Sequence, residues 1–350
     1  MRDLLERLVT TMQTGGDVVL ASIINHSGST PRSSGSLMLV HRDGSIQGSV
    51  GGGLLEARVQ QAAGELFKAG GLRLLNFDMT GKEAAREGML CGGRVRVKLE
   101  HGSSTAGSIA VFEQLAELVG RGRSAVLVSK VSGPDHRLKL EARWVMGEQG
   151  FVGQAPKAPL AERLRETVGS ASDPGCIELE QGRFLMEPFA AGTEAVIIGA
   201  GHVGQATARL AAMVGFRTVV LDDRPEFANK ERFPEADQVV VLDSFEDCFD
   251  RVGPGKNSFL VIMTRGHAHD KTVLGQALDT GAGYIGMIGS TRKRAAVYDA
   301  LREEGVSDAD LARVHCPIGL PIKAETPAEI AVSIVAEMIQ KRAELLGHAG

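Results

Sequence analysis

Gly199, Gly201 and Gly204 stand in G-x-G-x-x-G spacing between an apolar run, Ala195 to Ile198, and a segment of helical periodicity. Each glycine answers a different demand: a tight turn, close approach of backbone to a phosphate, and close packing of helix on strand. Asp222 closes the next apolar run, Thr218 to Leu221, at the distance where a carboxylate can accept a hydrogen bond from a ribose hydroxyl. With Asp223 beside it, an NAD-like dinucleotide is expected over a 2′-phosphorylated one, and Arg224 works against that expectation. His202 follows the first run, the loop Arg265-Gly266-His267-Ala268-His269-Asp270 a later one, and Gly289-Ser290-Thr291-Arg292 the last. His267, His269 and Asp270 are of metal-ligand type, but Asp270 can equally be a helix cap and loop histidines are common.

A second set lies nearer the N-terminus. Gly51-Gly52-Gly53 stands between a strand and a helix, where backbone N–H groups and the helix dipole make an anion-binding nest, although glycines also serve tight turns that bind nothing. Glu56, in the first helical turn, is either part of such a site or a cap worth a few tenths to about 1 kcal/mol. Cys91 is followed by Gly92 and Gly93 at a strand entrance. Its thiolate can meet a soft metal there without steric cover, and the alternative is a small buried residue.

The elements that must position these residues follow from periodicity. Helical spacing of Leu4, Leu5, Leu8 and Val9 predicts a helix from about Leu4 to Met12. Strands are predicted over Val18 to Ile24, Ser36 to Val40 and Ser45 to Val50, then a helix over Leu54 to Phe67 and strands over Arg73 to Asp78 and Arg94 to Leu99. Residues 107–191 repeat that outline: Val111 to Leu115 overlies Leu4 to Leu8, Ser124 to Val131 overlies Asp17 to Ile24, and Gln181-Gly182-Arg183 overlies Gly92-Gly93-Arg94. The second copy carries Gln154-Ala155-Pro156 in place of the glycine triplet, so it reads as a degenerate duplicate and a scaffold. After Ala190-Ala191-Gly192-Thr193, strands at Gln238 to Leu242, Ser258 to Thr264 and Tyr284 to Ile288 alternate with helices at Phe245 to Val252 and Asp270 to Thr280. The fold class is therefore α/β: a C-terminal Rossmann-type doubly wound parallel sheet, preceded by an α/β part with a degenerate internal duplication. Domains are expected at 1–106, 107–191 and 192–350.

Composition narrows the classes. The 350 residues are 43% hydrophobic and 23% charged, a globular balance. A net charge of −4, one tryptophan and two tyrosines give neither the electrostatic footprint nor the stacking platforms of a nucleic-acid binder. The four cysteines, Cys91, Cys176, Cys248 and Cys316, form no C-x-x-C pair, which fits a reducing cytoplasm. No signal peptide opens the chain and no apolar run reaches membrane-spanning length, so a soluble cytoplasmic protein is expected.

Ser27 to Arg32 with Gly35, the run Gly48 to Glu56, and Cys91-Gly92-Gly93-Arg94 resemble the N-terminal domain of the XdhC/CoxI family of xanthine dehydrogenase accessory factors. Ile198 to Gly204, Thr264 to Asp270, Ile288 to Lys293 and Pro317-Ile318-Gly319-Leu320 through Ala324 to Pro327 resemble that family's Rossmann domain. Leu54 stands where some relatives have cysteine, which leaves any sulfur ligand to Cys91. The resemblance implies a molybdenum cofactor chaperone, more an accessory factor than a catalyst. Such a protein binds a molybdopterin-type cofactor, protects it during sulfuration and inserts it into an apo xanthine-dehydrogenase-type molybdoenzyme. A cysteine desulfurase is then a partner and a homodimer the expected assembly. The cofactor-binding set becomes Arg32, Gly51, Gly52, Gly53, Glu56 and Cys91, with Cys91 on molybdenum, together with Gly199, Gly201, His202, Gly204, Asp222, His267, Asp270 and Ser290. The residues by themselves also suit an NAD(P)-dependent oxidoreductase or a nucleotide-sensing regulator.

Overall fold

The computed structural model describes residues 1–27, 35–78, 93–102, 105–170 and 175–345. The chain divides into two compact units, Met1–Ala191 and Gly192–Gly350.

The first unit opens with α1 (Arg2–Gln13), β1 (Val18–Ser27), β2 (Leu37–His41), β3 (Ile46–Gly48), α2 (Gly53–Ala69), β4 (Leu72–Asp78) and β5 (Arg94–His101). It continues with α3 (Ala106–Gly120), β6 (Ala125–Ser132), β7 (Lys139–Gly147), β8 (Gly150–Val152), α4 (Leu160–Ser170), β9 (Gly175–Leu179) and β10 (Gly182–Phe189). The two strand sets form two sheets, ordered β3-β2-β1-β5-β4 and β8-β7-β6-β10-β9. Corresponding strands hold corresponding places, so the duplication read from sequence is a duplication of topology.

Apolar spacing decides how the layers meet. On α1 the residues Leu5, Leu8, Val9 and Met12 are buried and share one core with Phe112, Leu115 and Val119 of α3 and with both sheets. α2 covers the outer face of the first sheet through Leu55, Val59, Ala62 and Leu66, and α4 covers the second through Leu164 and Val168. Between the copies lies a buried charge cluster. Lys98 on β5 is wholly buried, with its Nζ 2.5 Å from Glu187 Oε1 on β10 and 3.1 Å from Glu100 Oε2. Arg143 stands 2.5 Å from the other oxygen of Glu100, and the Ser22 hydroxyl donates to Glu187 at 2.6 Å. Burial alone raises the Glu100 pKa, but Arg143 and Lys98 outweigh it and hold the group at about 2. Such a cluster adds little over an apolar filling, whereas removing one partner costs about 3–5 kcal/mol, and the Lys98–Glu187 pair ties β5 of the first copy to β10 of the second.

The second unit runs β11 (Glu194–Ile198), α5 (His202–Met213), β12 (Arg217–Asp222), β13 (Gln238–Val241), β14 (Ser258–Ile262), α6 (His267–Leu278) and β15 (Tyr284–Met287). α7 (Thr291–Glu303), α8 (Asp308–Leu311), β16 (Val314–His315) and α9 (Pro327–Leu345) complete it. The sheet order is β13-β12-β11-β14-β15-β16 with every pairing parallel. Strand order reverses between β11 and β14, which makes their carboxyl ends the topological switch point. α6 and α7 bury Val273, Leu274, Val297 and Leu301 on one face, and α5 and α9 bury Ala208, Ala211, Ile334 and Met338 on the other.

One predicted helix is absent. Residues 245–252 form turns, although Phe245, Cys248 and Phe249 are buried at helical spacing. Gln276 of α6 takes over the backbone there: its Oε1 accepts from the Cys248 N–H at 3.1 Å and its Nε2 donates to the Phe245 carbonyl at 2.6 Å. Those two backbone groups thus have a tertiary partner, and Gly253-Pro254 ends the segment before a longer helix can form.

Candidate functional site

At the switch point the glycine fingerprint separates into two kinds of residue. A Cβ on Gly199 would lie 2.2 Å from the Met263 carbonyl oxygen, and one on Gly204 would lie 2.1 Å from the carbonyl oxygen of Gly199. Glycine at both positions is demanded by the passage of β14 and by the seating of α5 on β11. A Cβ on Gly201 would meet nothing within 4 Å, so this is the glycine that leaves backbone open to a ligand. Gly201 is the N-cap of α5 and Gly266 that of α6, and neither helix start has a side-chain cap. The N-termini that follow β11 and β14 therefore offer uncapped N–H groups on either side of the strand-order reversal.

The acid at the end of β12 is occupied from within. Asp222 is 1% exposed, and its Oδ2 accepts from the Ala200 N–H at 2.7 Å. Arg224 supplies the rest: its backbone N–H and Nε reach Oδ1 at 3.0 and 2.9 Å, and its Nη2 reaches Oδ2 at 2.9 Å. Burial works to raise the Asp222 pKa, but the Arg224 side chain and the backbone donors outweigh it and hold the group below its ordinary value. Asp223 is held in a two-pronged pair by Arg265, at 2.6 and 2.7 Å. Arg224 and Arg232 both lie over the Phe227 ring, 3.9 and 5.0 Å from its centroid, and Arg232 Nη2 donates to the Ala200 carbonyl at 3.3 Å.

Asp270 is fully buried and ties the loop after β14 to that after β15. Its Oδ1 accepts from the Thr264 hydroxyl at 2.7 Å and the Thr264 N–H at 3.1 Å, while its Oδ2 pairs with Lys293 of α7. Ser290 caps α7 by accepting from the Lys293 N–H at 3.2 Å. His202 is exposed and lines a cavity of about 680 Å³ with Gln205, Arg209, Arg232, Phe233 and Val332. That cavity lies against α5 and α9, and none of its lining comes from the loops after β14 or β15.

In the first unit, Gly51, Gly52 and Gly53 all have positive φ, at 134°, 74° and 55°. A Cβ on Gly52 or Gly53 would meet nothing within 4 Å. Glu56 caps this turn: its Oε1 accepts from the Gly52 N–H at 3.0 Å and from the Ser49 hydroxyl at 2.6 Å. Arg32 and Cys91 lie outside the described residues, as does the side chain of His267. The other cysteines make useful contrasts, since burial pushes the Cys248 thiol up to about 12 and Cys316 up to about 11.

Gly199, Gly201, His202, Gly204, Asp222, Asp270 and Ser290 are thus gathered at one edge of the parallel sheet, and Gly51, Gly52, Gly53 and Glu56 at one turn of the first unit. Sequence reasoning passed over Lys293 and Arg232. Lys293 had a signal in its place three residues after the cap Ser290, but Arg232 had none, because its role depends on the loop that brings it back to Ala200. Among the described residues no cluster of three or more His, Cys, Asp or Glu is arranged to hold a metal ion, and no helix is long and apolar enough to cross a membrane.

Comparison with known proteins respects the same division. A family model described as the XdhC Rossmann domain matches residues 195–338, and one described as the XdhC and CoxI family matches residues 12–78. The chain is 29% identical over 330 residues to a probable xanthine dehydrogenase subunit of Bacillus subtilis, covering 93% of each protein. It is 25% identical over 344 residues to the molybdenum cofactor insertion chaperone PaoD of Escherichia coli, covering 97% of this chain and 88% of that one. A crystal structure of a xanthine dehydrogenase from Bacillus halodurans superposes with a TM-score of 0.77 at 26% identity, covering 98% and 96% of the two chains.

Proposed function

The chain belongs to the XdhC and CoxI family, and from that premise we propose that it binds molybdenum cofactor and inserts it into a xanthine-dehydrogenase-type molybdoenzyme. It acts as an accessory protein in the reducing cytoplasm. The observation that carries this reading is the cradle at the start of α2, where Gly52 and Gly53 leave room for a ligand to approach the backbone. The full-length likeness to an insertion chaperone supports it. A pterin phosphate entering the cradle competes with Glu56 for the Gly52 N–H, so Glu56 holds the turn in shape between ligands. Arg32 and Cys91 belong to the same proposal, Arg32 as a partner for the phosphate and Cys91 as a thiolate toward molybdenum. The cofactor, when bound, supplies the metal centre whose terminal sulfur is installed before insertion. A cysteine desulfurase then serves as the sulfur donor, and a homodimer is the working form.

Transfer is the test. The purified chain carrying molybdenum cofactor should restore activity to an apo xanthine-dehydrogenase-type enzyme faster than free cofactor does, and Cys91→Ala should retain less cofactor at an unchanged melting temperature. Equal rates with and without the chain would overturn the reading. A second reading concerns the Rossmann crevice, where the two uncapped helix starts at the switch point favour a nucleotide, held as a regulatory ligand or as the cofactor of an NAD(P)-dependent oxidoreductase. Absorbance during titration with reduced nicotinamide dinucleotide separates those two, since only an oxidoreductase consumes it when offered a substrate.

A further inference from the structure

We propose that the Rossmann crevice selects a dinucleotide phosphorylated on the adenosine 2′ oxygen, with Arg224 as the specificity-determining residue. The inference rests on the nucleotide reading of that crevice and reverses the preference that Asp222-Asp223 suggests in sequence.

The argument is one of hydrogen-bond capacity. A free adenosine ribose is held at the end of the second strand by a carboxylate that accepts from its hydroxyls. A carboxylate has about four acceptor positions, and those of Asp222 already serve the Ala200 N–H, the Arg224 N–H, Arg224 Nε and Arg224 Nη2. Recognition of a ribose diol would require the Arg224 guanidinium to leave a buried carboxylate. Asp223 carries the two-pronged Arg265 pair on its two oxygens, so a ribose hydroxyl there would have to share the carboxylate with that guanidinium.

What this pole offers instead is donors. Arg224 and Arg265 each pair with a carboxylate, Asp222 and Asp223, and Arg232 shares the Phe227 ring with Arg224, so three guanidiniums stand at this end of the sheet. Each arginine carries five N–H groups and no acceptor, so the ion pairs leave donors over. Arg232 Nε is buried with no hydrogen-bond partner. Phe227 lies beneath both Arg224 and Arg232, which limits the freedom of those side chains before a ligand arrives. A phosphate, which only accepts and carries about two negative charges, matches such a surface, and arginine is the side chain that best holds it.

The test is calorimetric titration of the full chain with NADPH, NADH, 2′,5′-ADP, 3′,5′-ADP and 5′-AMP. NADPH should bind at least tenfold tighter than NADH, and 2′,5′-ADP tighter than both 3′,5′-ADP and 5′-AMP. Arg224→Ala should weaken NADPH at least tenfold while tightening NADH, because two acceptor positions on Asp222 become free. Arg224→Lys, which keeps the charge but not the fork, should fall between, and thermal melts establish that each variant is folded. Equal or tighter binding of NADH to the native chain, or of 3′,5′-ADP over 2′,5′-ADP, overturns the inference and leaves the nucleotide reading standing. Binding of none of the five overturns the nucleotide reading itself.

Discussion

The turn after β3 and the turn after β11 are built alike and fail differently. Each leads a strand into a helix whose N-cap is a glycine and so has no side chain of its own to cap with, and each has one N–H satisfied by the carboxylate of another residue, Glu56 in the first and Asp222 in the second. In the first turn the glycines are required by backbone conformation and the space around Gly52 and Gly53 is empty. In the second, Gly199 combines a φ of 120° with contact on neighbouring backbone, Gly204 is required by contact alone, and only Gly201 stands open. The carboxylates differ as well. Glu56 is half-buried and comes from the first turn of the helix it caps, while Asp222 is buried and arrives from the next strand. A glycine motif therefore mixes residues that make the fold with residues that admit a ligand, in proportions that differ between turns.

The largest expected effect is at Gly204. In Gly204→Ala the new Cβ would meet the Gly199 carbonyl, so α5 must move off β11 at a cost of about 3 kcal/mol, lowering the second unit's melting temperature by roughly 6–12 °C in calorimetry. Asp222→Ala comes next, at about 2–3 kcal/mol, since a buried N–H and an arginine lose their acceptor. Gly52→Ala should cost about 1–2 kcal/mol, because its φ of 74° with ψ of 179° is a region only glycine occupies freely, read as the shift of the first unit's denaturation midpoint in urea. Glu56→Ala should be mildest, about 0.5–1 kcal/mol in the same measurement. Were Glu56→Ala to match Asp222→Ala, the distinction between a local cap and a strand-borne tie would be lost.

Acid sharpens the same contrast. The depressed pKa of Asp222 means that its contribution is complete above the ordinary aspartate range near about 3.9 and is lost as pH falls through the lower folded value. Circular dichroism of native and Asp222→Asn chains between about pH 6 and about pH 2 should show a smaller acid destabilisation in the variant.

The chain's periodicities were sufficient for the parallel sheet, the fingerprint turn and the duplication, because each is written as local spacing: Leu5, Leu8 and Met12 on α1, or Gly199, Gly201 and Gly204 between β11 and α5. That no helix forms at Phe245 to Val252 was not legible, because the side chain that takes its backbone N–H lies 28 residues away. The occupancy of Asp222 was hidden for a related reason. Its position at the strand end identifies a carboxylate at the right place, but whether its oxygens are free depends on how Arg224 folds back and where the Ala200 N–H points. Residue types gave the chemistry available, and side-chain geometry decided how much of it was already in use.

The most direct measurement of the central claim is cofactor retention by the cradle. Purified native chain is mixed with molybdenum cofactor released from a molybdoenzyme, separated by gel filtration, and its molybdenum counted by mass spectrometry. The same is done for a Gly52→Ala/Gly53→Ala variant whose melting shows it folded. Molybdenum should co-elute with the native chain and be reduced at least tenfold with the variant, while nucleotide binding by the second unit is unchanged. Equal molybdenum on both proteins, or none on the native chain, would contradict the account.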